Sequence, residues 1–537
     1  MKRASRRHRL ILCNDGGTLV GPTAEAPIGA EGLVRLTIDP LRDTQIDTLY
    51  WQLGTDVYLG WYGCRLTDIY SHNTDVGPGW GTDRTQFPSA ACWRIYENAR
   101  RLAEEGTDAP SVVIEHGHDA GLEVFLSLRV NDVHDGLLRG TDEALLSPVK
   151  RSHAAWLLGP TASSTPDSDL HRLSRYAYNF ALPEVRDYKL ALFREAVGNY
   201  DLDGLDLDFC RFPRLFPAGA AIENAHLITD LLRSTRRIVA EKSKSSGRRI
   251  CLSVRVPPTL ELALAFGLDV KTWLDEGLVD ILIAGVVYGN MFRIPVKEYI
   301  QAAQTSGAEV IAQNLGLFWF DRPHSAKVLW HEGDCYTDAM CRASAASYWA
   351  AGIDGLYLFN NHLIGFARDA DYSRRPWKEI GSSDTLVGKD KHYLVDDTPR
   401  WQNMADEAGA PPIPKGILPA ELRSIGDAAT VSIDVADDIA PAVRDGTLQE
   451  ATLRVLVEHL TANDTVEFAF NDSDLTVQGA GQRLLYNDCW IDFDVARMLQ
   501  QGWNVLVITV MKRNPYVNTP LNLRSVEVFV RYREQPG

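Results

Sequence analysis

The chain has 537 residues, 45% hydrophobic and 23% charged, with a formal net charge of −16. That length exceeds one ordinary core and predicts two or three domains. The acidic balance excludes a nucleic-acid or anionic-membrane partner, since both need basic surface, and fits a neutral or cationic substrate.

The N-terminus, "MKRASRRHRLILCNDGG", is basic, but its apolar stretch is too short for a signal-peptide core. No run of 18 apolar residues follows anywhere, so nothing is expected to span a membrane. The cysteines are Cys13, Cys64, Cys92, Cys210, Cys251, Cys335, Cys341 and Cys489, scattered without CxxC or zinc-ribbon spacing. Reduced thiols in a cytoplasmic protein are the reading they support. The oligomeric state is left open, a homo-oligomer included.

Eight short apolar, β-rich runs follow in chain order: 10–15, 48–53, 123–132, 202–209, 250–256, 279–286, 309–314 and 354–361. Helical patterns lie between them at 183–200, 224–242, 269–278 and 341–352, with Pro183 and Glu184 suited to a first turn and Gly352 to an end. Eight β-then-α units predict an α/β fold, a (β/α)8 barrel over residues 1–385. An open doubly wound sheet is the competitor, and "NDGG" (14–17) lacks its GxGxxG turn. Long connections leave the second strand (54–89) and the third (133–182), and their aromatics Tyr58, Trp61, Tyr62 and Trp80 suit stacking on sugar rings or pinning the loops.

After residue 385 the composition turns Pro-rich and polar, read as a linker over 386–425. From 426 to 537 short alternating runs with turn signals predict a β-sandwich. "LQQGWNVLVITV" is similar to the late strands of galactose-binding-like jelly rolls, which implies glycan binding or packing on the barrel or another subunit.

In "DGLDLDFC" (203–210), Leu205, Leu207 and Phe209 share one strand face, and Asp206, Asp208 and Cys210 the other. The greasy face must meet helices, so the acids point into the barrel. Unpaired charge is too costly for a dry centre, which places them at the upper rim. Two such carboxylates lie roughly 6–7 Å apart along the strand, and their repulsion leaves one protonated acid and one anion. A buried salt bridge with Arg129, Arg211 or Arg255 is the purely structural alternative.

"DGLDLDF" resembles the fourth-strand signature of chitinase-like glycoside hydrolases over Asp203 to Phe209, with Cys210 where those enzymes carry a catalytic Glu. "ALPEVRDYKLALFREAVGNYDLDGLDLDFCRFP" and "AGLEVFLSLRVNDVHD" (120–135) are also similar to segments of uncharacterised bacterial glycosyl-hydrolase-like barrels. The resemblance implies a carbohydrate-active barrel with a carbohydrate substrate and leaves the reaction open; no P-loop or nucleotide fingerprint is present, and no cofactor is expected. A thiol is a poor donor to a glycosidic oxygen, so chitinase chemistry does not transfer.

The expected catalytic set is therefore Asp208 as general acid, Asp206 tuning it, and Asp132 as base or nucleophile. Arg129, Asn131, His134 and Arg211 would position the sugar. Asp15, Gln52, Arg255, Tyr288, Gln313 and Asn360 complete a ring of planar donors and acceptors at strand ends, as hydroxyl recognition needs. Two alternatives stand beside a glycosidase. One is a barrel that binds glycan without cleaving it, motivated by Cys210. The other is a metal-dependent hydrolase built on Asp132, His134, Asp135, Asp206 and Asp208. His116 and His118 fall in the helix before the third strand, at the wrong end for that metal.

Overall fold

The computed structural model describes residues 8–20, 28–54, 90–133, 148–159, 175–286, 292–314, 337–361, 374–395, 418–477 and 480–533. Eight parallel strands close into a barrel: β1 (Leu10–Asn14), β2 (Thr48–Gly54), β3 (Glu123–Arg129), β4 (Gly204–Asp208), β5 (Cys251–Val256), β6 (Ile281–Ala284), β7 (Glu309–Gln313) and β8 (Gly355–Phe359), with β8 pairing back to β1. All eight runs read as strands are strands.

Closure follows from two cores that alternate along each strand. Leu49, Trp51, Leu205, Leu207, Leu252 and Val254 point outward into the large core shared with the helices. Ile11, Cys13, Tyr50, Phe125, Ile311 and Tyr357 point inward and form a separate cluster inside the cylinder. Gly204 matters to that inner packing, because a Cβ there would lie 2.0 Å from the Phe125 ring.

The helices form where the sequence supplies both a pattern and a stop. Pro183–Asn199 opens on its proline with Glu184 in the first turn. Ala225–Ser246 ends at Gly247 with φ +69, and Asp338–Ala351 ends at Gly352 with φ +89, conformations that glycine adopts without strain. Helix Ala109–Asp119 carries His116 and His118, and His118 Nε2 lies 2.8 Å from Asp203 at the N-terminal end of the barrel.

That end is held by a repeated device. Asp47, Asp203, Asp280 and Asp354 each precede an even-numbered strand. Each accepts a backbone N–H from the start of the odd-numbered strand before it: Leu10 (3.3 Å), Val124 (2.8 Å), Leu252 (2.8 Å) and Val310 (2.9 Å) respectively. Buried donors that the ladder leaves open are thereby satisfied. His8 plugs the centre, with Nε2 on Glu123 and Nδ1 on Glu309, both at 2.8 Å.

The C-terminal region is a β-sandwich of two antiparallel sheets. Its strands are β9 (Lys391–Leu394), β10 (Ala420–Leu422), β11 (Ala428–Val435), β12 (Leu448–Glu458), β13 (Thr465–Phe470), β14 (Ser473–Leu475), β15 (Gly481–Leu485), β16 (Asp488–Asp494), β17 (Gly502–Lys512) and β18 (Leu521–Tyr532). One sheet runs β10-β18-β12-β16-β15 with β9 also on β18, and the other β11-β17-β13-β14. β9 and β10 come from the stretch read as linker, whose ends pair along β18. The sandwich core takes in Phe292, Met340 and Ala343 from the barrel region. Among the described residues, no helix is long and apolar enough to cross a membrane.

Candidate active site at the C-terminal end of the barrel

Three neighbouring strands carry matching triplets: Ser127-Leu128-Arg129 on β3, Asp206-Leu207-Asp208 on β4 and Ser253-Val254-Arg255 on β5. Parallel register sets Ser127, Asp206 and Ser253 side by side, and Arg129, Asp208 and Arg255 side by side one layer higher. The middle residue of each triplet belongs to the outer core. The other two therefore face into the cylinder, as alternation requires.

The two carboxylates of β4 have different environments. Asp206 accepts from Ser127 Oγ at 2.6 Å and Ser253 Oγ at 2.8 Å. Among the described residues it meets no cation, and it is fully buried. Burial, and next the charge of Asp208, push its carboxyl up to about 7, against the pull of the two hydroxyls and Arg255. Asp208 is an ion-pair anion, with both oxygens 3.0 Å from Arg255 Nη1. Arg255 Nη2 is held in turn by the Val286 carbonyl and Gln313 Oε1, each at 2.7 Å. Gly285 leaves room for this, since a Cβ there would lie 2.8 Å from Arg255 Nε. The carboxyl raised by burial and then by its neighbour's charge is Asp206; the sequence expectation gave the general acid's part to Asp208, with Asp206 tuning it.

Around them lies a second charged group. Arg129 Nη1 is 3.1 Å from Asp132, and Nη2 is 3.4 Å from Asp15. Asn360 Nδ2 donates to the same Asp15 oxygen at 2.6 Å. The Asp15 side chain is 19% exposed and that of Asp132 is fully buried. Lys150 donates to the Asp132 carbonyl at 3.0 Å. Arg255 lies over the Phe359 ring at 4.4 Å, with Arg211 at 5.8 Å from the same ring.

Several expected sugar contacts have other work. Asn131 donates to the Tyr178 and Arg214 carbonyls and accepts from Tyr178 N, tying loops together. Arg255 and Gln313 serve Asp208 as described. Gln52 differs: it faces inward in register with Ser127, is fully buried, and neither polar atom of its amide meets a hydrogen-bond partner among the described residues. The amide of Asn314 after β7 is likewise buried and without a partner among the described residues. His134, Asp135, Tyr288 and the loop aromatics Tyr58, Trp61, Tyr62 and Trp80 lie outside the described residues. Among the described residues no group of three or more His, Cys, Asp or Glu is placed to hold a metal ion.

Cys210 does not continue the acidic face. β4 ends at Asp208. The backbone N–H of Cys210 then turns back to Asp208 Oδ1 at 2.9 Å, and its side chain packs into the outer apolar core. Burial raises the thiol well above its usual range. Sequence reasoning missed Ser127, Ser253 and Lys150; the S-x-R triplets flanking D-L-D were the available signal for the first two.

No family model matches the chain, and no curated protein matches it. Among solved structures it is similar to the glycoside hydrolase domain of PgaB (BpsB) from Bordetella bronchiseptica, at 13% identity and TM-score 0.40, over 69% of this chain and 99% of that one. A chitinase from Bacillus thuringiensis aligns at 11% identity and TM-score 0.35, over 98% of this chain and 100% of that one. A multi-modular cell-surface chitinase from Paenibacillus sp. aligns at 11% identity and TM-score 0.36, over 96% of this chain; the chain spans 56% of that enzyme's length. At these values the comparisons carry no argument about activity, and the barrel rests on its own strand pairing.

Proposed function

We propose that the protein is a glycoside hydrolase or a closely related carbohydrate-active enzyme, working at the C-terminal end of its barrel. One observation carries the reading: Asp206 and Asp208 share the barrel interior, one titrating near neutrality and the other held as an anion. Glycosidic cleavage needs that division, a proton for the leaving oxygen and negative charge against the developing oxocarbenium ion. Asp206 is the proton store and Asp208 the fixed anion. Asp132 is the second rim carboxylate, clamped by Arg129, in the role of base or nucleophile. Gln52, Asn360, Arg211 and Asp15 take sugar hydroxyls.

A binding barrel without turnover is the second reading. It is favoured by the arginine that grips each of Asp208 and Asp132, and by Cys210 turned into the core. Calorimetric titration of a neutral oligosaccharide panel, run beside a reducing-end assay on the same sugars, separates the two. Turnover that is lost in Asp206→Asn and Asp208→Asn while binding persists supports the enzyme. Binding without turnover in the native protein supports the lectin-like reading.

A further inference from the structure

The outer faces of the two sandwich sheets differ in chemistry. The β9/β10-containing sheet carries cross-strand ion pairs, Arg454 with Asp492 at 2.7 Å and Arg531 with Glu450 at 3.1 Å, as a solvated face ordinarily does. The β11-β17-β13 sheet instead shows a low strip of small side chains, bounded on the same face by the carboxylates of Glu467 and Asp474. Register sets Thr430 beside Val507 and Ala469, and Ser432 beside Val505, all only partly exposed or exposed. Next in the row comes Trp503, paired with Asp434 and 58% exposed.

Trp503 is also held in place from the barrel side. Arg293, which follows β6, lies over the indole at 4.9 Å and forms an ion pair with Asp434. Its neighbour Phe292 is inside the sandwich core, and the Phe292 carbonyl accepts from Ser344 Oγ at 2.8 Å. The Arg293 cation over the indole is therefore neutralised by Asp434, and the platform is fixed to both domains.

An exposed indole beside a flat strip of small side chains offers an apolar face with polar edges. We infer that this sheet face is a second carbohydrate site, which holds one extended, neutral polysaccharide chain with a sugar ring stacked on Trp503. Asp434 accepts and Arg293 donates hydrogen bonds to hydroxyls at the ring edge. A polyanionic chain is disfavoured by the net charge of −16 and by the lack of an unneutralised cation on the described strip. The inference rests on the carbohydrate reading above and extends it to polymers, with binding spread over both domains.

Native affinity electrophoresis of the full chain tests it, in gels containing hydroxyethylcellulose, xylan or laminarin, with polygalacturonate as the anionic control. The native protein is expected to be retarded by at least one neutral polymer and not by polygalacturonate. Trp503→Ala should weaken that retardation about three- to tenfold, and Trp503→Phe should restore part of it. Equal retardation of Trp503→Ala and the native protein overturns the site while leaving the barrel's activity to stand on its own assay. Absence of retardation in every neutral gel also overturns it. So does a change of mass by light scattering in Trp503→Ala with unaltered retardation, because the indole then packs against a second copy.

Discussion

Asp206 and Asp208 stand two residues apart on one strand and face one interior, yet only Asp208 meets a guanidinium. Their difference comes from the neighbouring strands, which set serines beside one and arginines beside the other.

Asp206 should make both activity and stability fall as pH rises. Its folded value of about 7 lies above the usual 3.8, so the folded state holds the proton more tightly than the unfolded chain. Stability is then full below about pH 4 and declines until about pH 7, by on the order of 2–4 kcal/mol. Asp206→Asn cannot ionise. It is expected to melt higher than the native protein at pH 8, with little difference at pH 4, and to abolish turnover at both. Calorimetric melts at the two pH values check this.

Arg255→Met should leave Asp208 as a buried, unpaired charge. The expected cost is roughly 3–5 kcal/mol in urea unfolding. Adding Asp208→Leu should recover most of it, because a buried ion pair is worth little more than a well-packed apolar pair. A double variant as unstable as the single one would show that Arg255 acts through Val286 and Gln313 instead.

His8 gives a stability term of the opposite origin but the same sign. Burial disfavours its charge, yet Glu123 and Glu309 outweigh burial and raise it from 6.5 to about 9. Its contribution is full below about pH 6.5 and lost as pH rises through about 9, up to roughly 3 kcal/mol. In His8→Asn the native decline in unfolding free energy between pH 6.5 and 9.5 should largely vanish. Sugar binding at the far end of the barrel should not change.

Asp354→Ala removes the acceptor for Val310 N–H at the base of the barrel. A loss of about 1–3 kcal/mol is expected, from a buried donor left unsatisfied. The Michaelis constant of the remaining folded enzyme should be unaltered. Asp203→Ala should behave similarly, because the first acid of "DGLDLDF" accepts Val124 N–H at the same end of the barrel.

Apolar runs that bury both faces made a parallel sheet legible, and the count of eight β-then-α units pointed to its closure. Strand alternation also made the inward direction of Asp206 and Asp208 legible. How their environments differ was not, because that depends on Ser127, Ser253 and Arg255, whose register with β4 no single strand encodes. Cys210 was misjudged because alternation was carried past Asp208, where the strand stops. The loop-tying bonds of Asn131 were not legible, because its partners, Tyr178 and Arg214, are 47 and 83 residues away.

The sequence by itself determined the two architectures and the placing of acids inside a cylinder, because alternation and the cost of exposed apolar surface act locally along the chain. The tertiary structure alone decided what each acid is, since protonation follows from desolvation and from neighbours brought together by strand pairing. It also brought Arg293 of the barrel onto Trp503 of the sandwich, a contact between residues 210 positions apart that no local pattern contains.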